Sequence, residues 1–317
     1  MIHAVVITGA SKGFGRAVAK AVARGSDPNI HFVLSGRDPT DLNEVRSELF
    51  DIRQKQNLAV SCDVIVGDLS NPLELEKMAD NLFGTSSLYK DPSSIGSITF
   101  YNNAGSLGKL CAVGSPLSSV ADMSLAVNLN ITACLFLTSE FVRRYDQAHN
   151  DIPFRILLLL TATLKYALFC YRYEEQSFTQ SVPPRATVVN VSSLAAQQPF
   201  PSWSVYCAGK AARDMYHSTL AAEQRSKWPD VDSSKGSREV KVLNYAPGPL
   251  DTNMQATIRD AEKHDTNLGT VYTDMKEQNL LVDPLVSAEN LLILLNTPHS
   301  FKSGDHVDYY DDIKINA

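Results

Sequence analysis

The sequence predicts an α/β fold in which one doubly wound, mainly parallel sheet of seven strands is covered by helices on both faces. Apolar runs of strand length alternate with longer segments of helical period, which is the pattern of strands buried on both sides. The chain has 317 residues, of which 44% are hydrophobic and 20% charged, so it can bury a large core. We find no internal repeat and predict a single domain over residues 1–317.

The predicted elements alternate along the chain. Strands are predicted at the short apolar runs Ala4–Thr8, His31–Ser35, Val60–Val66, Ser97–Tyr101, Thr187–Val191, Val240–Tyr245 and His306–Tyr309. Helices are predicted where apolar residues recur at helical spacing, at Gly15–Arg24, Asp41–Gln56, Leu73–Leu82, Ser119–Tyr145, Ser204–Ser226 and Ser287–Leu295. Such a sheet binds its ligand at the carboxyl ends of its strands, so we expect the functional residues in the motifs at strand ends.

Charge and cysteine content narrow the class of partner. The net charge of -6 and the pI near 5.7 leave no basic stripe to neutralise phosphates, so we predict no nucleic-acid partner. The cysteines lack the paired spacing of a zinc site and indicate free thiols in a reducing compartment, with no metal; they are Cys62, Cys111, Cys134, Cys170 and Cys207. The chain opens on an apolar strand without a charged leader, so we expect a cytoplasmic protein with small-molecule and protein partners.

A glycine-rich turn joins the first predicted strand to the first predicted helix, and it reads Thr8-Gly9-Ala10-Ser11-Lys12-Gly13-Phe14-Gly15-Arg16. Glycines at 9, 13 and 15 allow a tight turn and a close approach of the backbone to a ligand. A pyrophosphate can then bind at the helix N-terminus, as in dinucleotide-binding folds. An ordinary glycine-rich loop is the alternative.

The end of the second strand bears on the choice of nicotinamide cofactor. It reads Ser35-Gly36-Arg37, without the acidic residue that would accept hydrogen bonds from an unmodified ribose. We expect Lys12, Arg16 and Arg37 to converge on a 2′-phosphate, where a guanidinium can form two charge-assisted bonds. The sequence therefore favours NADP(H) over NAD, unless these three residues are solvated surface cations.

Two further strand ends contribute candidate cofactor contacts. Asp68 and Leu69 close the third strand, and Asp68 either accepts from the adenine amino group or simply forms a turn. Asn102, Asn103, Ala104 and Gly105 close the fourth strand. There, small residues let the backbone approach the cofactor while amide side chains tie strand ends together. A plain turn is the alternative for this segment.

A tyrosine and a lysine four positions apart form the candidate reaction centre. Tyr206 and Lys210 share one face of a predicted helix, so the ammonium is expected to stabilise the phenolate and lower the pKa of the phenol. Ser193, with Ser192 as its competitor, is positioned to bind a substrate oxygen. Asn128, an unfavourable residue inside a predicted helix, is a candidate for holding a water that links Lys210 to solvent.

Together these motifs resemble the short-chain dehydrogenase/reductase family, and the match covers nearly the whole chain. The matching residues are Gly9, Gly13, Gly15, Asn102–Gly105, Asn128, Ser193, Tyr206 and Lys210. The resemblance implies a single Rossmann-like domain, a catalytic tetrad of Asn128, Ser193, Tyr206 and Lys210, and commonly a dimer or tetramer. It also implies cofactor contacts from Ser11, Phe14, Leu69, Pro247, Gly248, Leu250 and Thr252.

Several local runs resemble the members of this family that reduce side-chain ketones of pterins; they are Ser11–Arg16, Gln198–Phe200, Trp203, Tyr206–Met215, Leu243–Thr252 and Phe301–Asp308. This resemblance implies that Asp308 anchors the pterin nitrogens, with Asp305 as a nearby rival. It also places Trp203, Cys207 and Met254 in the substrate pocket, and ordinary core packing is the alternative for these three. The other readings are a reductase of simpler ketones, aldehydes or quinones, and a non-catalytic NADP-sensing scaffold.

The chain departs from the family pattern at an insertion of about 150–184. It contains the apolar run Ile152–Cys170, a poor membrane span because Pro153, Arg155 and Lys165 interrupt it. A partner or membrane contact and translated intron sequence are the alternatives for this segment. Because a helix-to-strand loop lies at the amino ends of the strands, we expect it to leave catalysis intact. A homodimer through the helices Ser119–Tyr145 and Ser204–Ser226 is also expected.

Overall fold

One parallel sheet organises the protein. The computed structural model describes residues 1–84, 94–115, 118–149, 185–228, 239–262 and 267–312, so the insertion predicted at 150–184 lies outside the described residues. The strands are β1 (Ile2–Thr8), β2 (Asn29–Gly36), β3 (Ala59–Val66), β4 (Ile95–Asn102), β5 (Arg185–Val191), β6 (Val240–Ala246) and β7 (His306–Asp308). Their order is β3-β2-β1-β4-β5-β6-β7 and each pairing is parallel, which confirms the predicted sheet.

Helices connect the strands. They are α1 (Gly13–Arg24), α2 (Pro39–Lys55), α3 (Leu75–Phe83), α4 (Val120–Val127), α5 (Cys134–His149), α6 (Ser204–Lys227), α7 (Asn253–Glu262), α8 (Asn267–Glu277) and α9 (Pro284–Asn296). The helices α7 and α8, between β6 and α9, were not predicted. The start of α9 is three residues earlier than predicted, because Asp283 caps it by accepting from the Leu285 amide, with Pro284 in the first turn.

The predicted helix Ser119–Tyr145 is not uniform. Its middle turn, Asn128–Ala133, is a π-helix between α4 and α5. The whole stretch Val120–Gln147 is long and apolar enough to cross a membrane by length and composition. However, Leu137, Phe141 and Tyr145 are buried in the hydrophobic core, so α5 packs as a core helix.

The core lies in two layers, one on each face of the sheet. Alternate residues of β1 point to opposite layers, with Val5 and Ile7 in one cluster and Ala4 and Val6 in the other. The first layer packs against α1, α2 and α9, and the second against α3 and α5. Because both faces are covered, β1 is apolar from Ala4 to Ile7 instead of alternating.

A buried histidine couples the stability of this fold to pH. His217 on α6 has its Nδ1 2.7 Å from the Arg213 carbonyl oxygen and its Nε2 3.0 Å from Thr138 Oγ1. A neutral ring satisfies both contacts, because Nδ1–H donates to the carbonyl and Nε2 accepts from the hydroxyl. Burial is the main cause that lowers the pKa of His217 from 6.5 to about 4.

We therefore expect acid to destabilise the protein through His217. Below pH 6.5 the unfolded chain protonates this ring while the folded chain does not, so stability present above pH 6.5 is lost as the pH falls toward about 4. The loss approaches about 3 kcal/mol. Urea unfolding of wild type and His217→Asn at neutral and acidic pH should give the variant the smaller acid-induced loss, and equal losses would contradict this role.

Candidate active site

The glycine-rich turn after β1 forms a cradle for a phosphate group. Gly9 and Gly13 have φ angles of +65° and +54°, and a Cβ at Gly15 would lie 2.3 Å from the Gly9 carbonyl oxygen. No side chain caps the start of α1, and its first turn has no acidic residue. The amides of this turn are therefore available to an anion, so the residues fit a dinucleotide pyrophosphate.

Asn103 holds this cradle against β4. Its Nδ2 donates to the carbonyl oxygens of Thr8 at 2.8 Å and Gly9 at 3.1 Å, and Thr8 Oγ1 accepts from the Asn103 and Ala104 amides. The sequence interpretation had assigned Asn102 to the cofactor. Its side chain instead donates to the Cys134 carbonyl and to Thr138 Oγ1, which ties β4 to α5. Neighbouring residues at a strand end point to opposite faces, and that alternation was the available signal.

Two of the three predicted cations are paired with carboxylates. Lys12 forms an ion pair with Asp41 at 2.8 Å, and Arg16 donates two hydrogen bonds to Glu48 at 2.9 and 3.2 Å. Both carboxylates belong to α2, and the convergence of Lys12 and Arg16 on a 2′-phosphate stays a prediction. Arg37, exposed just past β2, makes no hydrogen bond or ion pair with the residues that the structure describes.

Other predicted cofactor residues divide between the turn and the core. Asp68 Oδ1 accepts from the amide and hydroxyl of Ser70, so the turn-forming alternative holds for this oxygen. The Leu69 side chain lies in the core. Phe14 is also a core residue and stacks on Tyr245 with ring centroids 6.0 Å apart. For Leu69 and Phe14, only the backbone is left to contact a cofactor.

The segment after β6 meets the glycine-rich turn. A Cβ at Gly13 would lie 3.6 Å from Cγ2 of Thr252, so Thr252 borders the cradle as the resemblance implied. Gly248 has a φ of +79° and packs near Tyr309, which favours glycine there.

The remaining predicted cofactor residues contact neighbouring parts of the fold. Pro247 accepts a hydrogen bond from Ser287 Oγ at 2.9 Å, and Leu250 pairs with Val282. Ser11 lies beside Gly36, and Gly105 beside Asn130.

Tyr206, Lys210 and Ser193 meet at the carboxyl end of β5. Tyr206 and Lys210 are buried on one face of α6, and the Lys210 Nζ lies 5.5 Å from the centroid of the Tyr206 ring. Lys210 Nζ also donates to the Val191 carbonyl oxygen at 2.6 Å. Tyr206 is hydrogen-bonded to Ser193, which is only partly buried. The alternative residue, Ser192, is fully engaged by Asp214, so Ser193 is the serine at the reaction centre.

The pKa of Tyr206 is shifted in the direction opposite to the expected one. Burial raises the pKa of Tyr206, although the Ser193 hydrogen bond and the Arg213 charge act in the opposite direction. Burial, reinforced by Arg213, lowers the pKa of Lys210 well below its ordinary value. Burial outweighs the groups that lower the pKa of this phenol, and Lys210 is not one of them, so the expected lowering by Lys210 is not observed. A phenol with a raised pKa stays protonated at neutral pH and can donate a proton.

Two asparagines stand near the start of α5. Asn128 begins the π-helical turn and is partly buried, and its side chain makes no hydrogen bond to any described residue, so its water-holding role stays a prediction. Asn130 is buried and exchanges hydrogen bonds with the backbone of Ser106 at 2.9 and 2.7 Å. It also packs against Gly209 of α6, which positions that helix. The sequence interpretation missed Asn130.

An aromatic cluster flanks Tyr206. Trp203 stacks on Phe200 and Tyr272 with centroids 5.4 and 5.8 Å apart, and its edge meets Tyr206 at 5.7 Å. Cys207 is partly buried against the same cluster, whereas Met254 on α7 is exposed. The cluster gives the reaction centre an apolar wall suited to a flat substrate.

Asp308 lies at the functional edge of the sheet and its rival does not. Asp308 ends β7 and is level with Ala246 of β6, whereas Asp305 precedes β7 and its carbonyl oxygen accepts from the Asn244 amide within β6. One oxygen of Asp308 accepts from the Tyr310 amide at 3.0 Å. Asp305 closes a turn by accepting from the Lys302 amide. Of the two, Asp308 is therefore the candidate for a substrate contact.

Two charged residues of α6 that sequence reasoning left unassigned lie directly behind the reaction centre. Arg213 is fully buried and donates to Asn190 Oδ1 at 2.7 Å, to the Ala104 carbonyl at 2.9 Å and to the Asn102 carbonyl. Asp214, also buried, accepts from Asn190 and Ser192. The sequence did contain a signal for Arg213 and Asp214, because both are charged residues at positions that helical spacing assigns to the core.

Comparisons with known proteins show the family of this chain. A family model described as short chain dehydrogenase matches residues 3–151 and 176–263, well over half of the chain. The chain is 34% identical to sepiapterin reductase of Rattus norvegicus over 306 residues, which covers 96% of this chain and 95% of that protein. It is 28% identical to the (S)-benzoin-forming benzil reductase of Bacillus subtilis, covering 92% of each.

Solved structures share the fold. A short chain dehydrogenase/reductase of Saccharomyces cerevisiae, 21% identical, aligns with a TM-score of 0.68 over 98% of this chain and 96% of that one. The family model leaves residues 152–175 unmatched, within the predicted insertion. Fold, family match and full-length relatives agree, and the chain is a member of the short-chain dehydrogenase/reductase family.

Proposed function

We propose that this protein is an NADPH-dependent reductase of a pterin side-chain carbonyl, of the kind used in tetrahydrobiopterin synthesis. The observation that carries the proposal is the hydrogen-bonded pair of Ser193 and Tyr206 beside buried Lys210, at the same sheet edge as the glycine cradle. The full-length likeness to sepiapterin reductases supports the substrate class.

In this mechanism the protein binds and polarises the carbonyl. Ser193 and Tyr206 both donate hydrogen bonds to the substrate oxygen, and Tyr206 transfers its proton as negative charge develops there. Bound NADPH supplies the hydride that the carbonyl carbon receives. Lys210 would contact the nicotinamide ribose, and its charge, when protonated, favours the phenolate that the proton transfer leaves. The aromatic wall around Trp203 excludes water from this step.

The preference for NADPH is assigned to Arg37. Its guanidinium stands just past β2 without a hydrogen bond or ion pair to the described residues, where a ribose 2′-phosphate would bind. Replacing Arg37 by Leu should weaken NADPH binding roughly 10- to 100-fold by removing charge-assisted hydrogen bonds, with NADH binding little changed. Fluorescence titration with both cofactors measures this, and Arg46→Leu, on the exposed face of α2, is the control. Equal losses for both cofactors would contradict the assignment.

The pterin is assigned to Asp308, because a carboxylate can pair with the guanidine-like nitrogens of the pterin ring. A diketone such as benzil offers no such donors, and the benzil reductase relatives favour this second class of substrate. A pterin substrate would therefore require Asp308 for binding, whereas a diketone substrate would not.

Replacing Asp308 by Asn should therefore separate the two substrates. We expect kcat/KM for sepiapterin to fall roughly 10-fold or more, while the value for benzil changes little. Asp305→Asn, just before β7, is the matched control. Steady-state kinetics with both carbonyls decides the matter, and unchanged sepiapterin reduction in Asp308→Asn would remove the main physical support for a pterin.

The proposal includes a cytoplasmic homodimer. Four described cysteines, Cys62, Cys111, Cys134 and Cys207, are free thiols, as expected in a reducing compartment. Val120, Leu125 and Val127 of α4 and Met215 of α6 expose apolar side chains that a second copy would cover. Light scattering of the purified chain measures its mass directly, and a monomeric mass would exclude the dimer.

A further inference from the structure

A buried carboxylate is held from three sides behind the reaction centre. Asp214 Oδ1 accepts from Ser192 Oγ at 2.5 Å and from Asn190 Nδ2 at 3.0 Å, and Oδ2 lies 2.6 Å from His306 Nδ1. Asp214 is only 6% exposed. Because an unpaired buried carboxylate is costly, this degree of engagement fixes its position and orientation.

This carboxylate joins three elements of the fold. Asp214 belongs to α6, Ser192 and Asn190 to the end of β5, and His306 to the start of β7. Arg213 holds the other end of Asn190 by donating to its Oδ1, so the amide of Asn190 is clamped between two opposite charges. The end of β5 therefore has little freedom to move relative to α6.

The end of β5 is also the part of the chain on which the reaction centre depends. Val191 provides the carbonyl oxygen that receives the Lys210 hydrogen bond, and Ser193 provides the hydroxyl bonded to Tyr206. Ser192 stands between them in the chain. On α6, Tyr206, Lys210 and Asp214 follow one another at intervals of four residues, so they share one face.

We propose that Asp214 and His306 are positioning residues, which fix the segment Val191–Ser193 so that Ser193 and Lys210 meet Tyr206 in a reactive geometry. They touch neither substrate nor cofactor in this assignment. His306 orients the carboxylate by donating from Nδ1, and the carboxylate in turn orients Ser192. The inference rests on the proposed carbonyl reduction.

The order of Ser192, Asp214 and His306 is not that of a nucleophilic catalytic triad. In a nucleophilic triad the imidazole stands between the serine and the carboxylate and takes the serine proton. Here the carboxylate stands between Ser192 and His306, so the imidazole is not placed to take the Ser192 proton. Ser192 is also buried, which leaves it no route to a substrate.

Two replacements of His306 separate positioning from simple stability. His306→Asn keeps a donor close to the place of Nδ1, whereas His306→Phe keeps the ring volume and removes the donor. His31 supplies the matched control, since it is a buried strand histidine near Asp63, far from β5 on the other half of the sheet. Asp214→Asn is a second test of the same link, because it keeps the shape of the carboxylate and removes its charge.

The experiment measures kcat for sepiapterin and benzil, NADPH binding, Tm, and the isotope effect with NADPH deuterated at the transferred position. We expect His306→Phe and Asp214→Asn to lower kcat roughly 10- to 100-fold, as losing an outer hydrogen-bond partner does at other sites. NADPH binding should stay near wild type, and the isotope effect should rise because hydride transfer becomes slower. His306→Asn should recover most of the rate, and His31→Phe should lower Tm without changing kcat.

Equal kcat in His306→Phe and wild type, or equal losses in His306→Phe and His306→Asn, would overturn the inference. A fall in kcat that is explained by the accompanying fall in Tm, judged against the control variant His31→Phe, would also overturn the inference. A wild type that reduces benzil but not sepiapterin would overturn the pterin proposal alone, since the variants still compare on benzil. A wild type that reduces neither carbonyl would overturn both.

Discussion

Replacing Tyr206 by Phe should lower kcat/KM for carbonyl reduction by roughly 10²- to 10⁴-fold, the usual contribution of a positioned proton donor. The phenol is buried, hydrogen-bonded to Ser193 and beside Lys210, and burial raises its pKa so that it is protonated at neutral pH. The ring also contacts Trp203 edge-on, and Phe preserves that packing. The loss should therefore fall on proton transfer and leave the fold intact.

Single-turnover reduction with saturating NADPH isolates this step, and fluorescence titration shows whether cofactor binding is retained. Tyr216→Phe is the control, because Tyr216 lies on the same helix, is partly buried and is hydrogen-bonded to Ser139 away from the reaction centre. Turnover of Tyr206→Phe within a few-fold of wild type would refute the proposed proton donor.

Replacing Lys210 by Met should separate activity from stability. Burial and Arg213 lower the pKa of Lys210 well below its ordinary value, so the folded protein bears a cost for holding this amine at neutral pH. Methionine fills a similar volume without that cost, although the Val191 carbonyl loses its donor. We expect a Tm equal to or above that of wild type and a fall in kcat/KM of roughly 10²-fold or more.

Thermal unfolding and steady-state kinetics on the same preparation test this pair of outcomes. Lys20→Met, a partly exposed lysine of α1 paired with Glu48, serves as the control for removing a lysine charge. A large drop in Tm accompanied by a proportional loss of activity would mean that Lys210 acts through the fold and not through the reaction.

The fold could be predicted because burial on both faces leaves a signal in the sequence. β1 is apolar from Ala4 to Ile7, where both core layers cover it, and the glycines of the following turn mark its junction with α1. The spacing of Tyr206 and Lys210 likewise fixed their common helical face. Such local periodicities do not depend on which distant elements become neighbours.

The remaining features depend on tertiary neighbours. Arg16 was expected at the cofactor, but its partner Glu48 comes from the adjacent α2, a pairing that no local pattern reveals. Asn102 and Asn103 are chemically identical, and only the orientation of β4 decides which one reaches the glycine turn. The His306 contact with Asp214 joins β7 to α6 across the chain, so it emerges only once the sheet is assembled.

The central claim is that Tyr206, Ser193 and Lys210 reduce a carbonyl with NADPH. Purified full-length protein mixed with NADPH and sepiapterin, beside NADPH and benzil, tests it most directly by the rate of NADPH oxidation. We expect NADPH to be oxidised only when a carbonyl is present, fastest with sepiapterin, and not at all in Tyr206→Phe. Tight NADPH binding without oxidation in the presence of either carbonyl would contradict it and leave a cofactor-sensing protein instead.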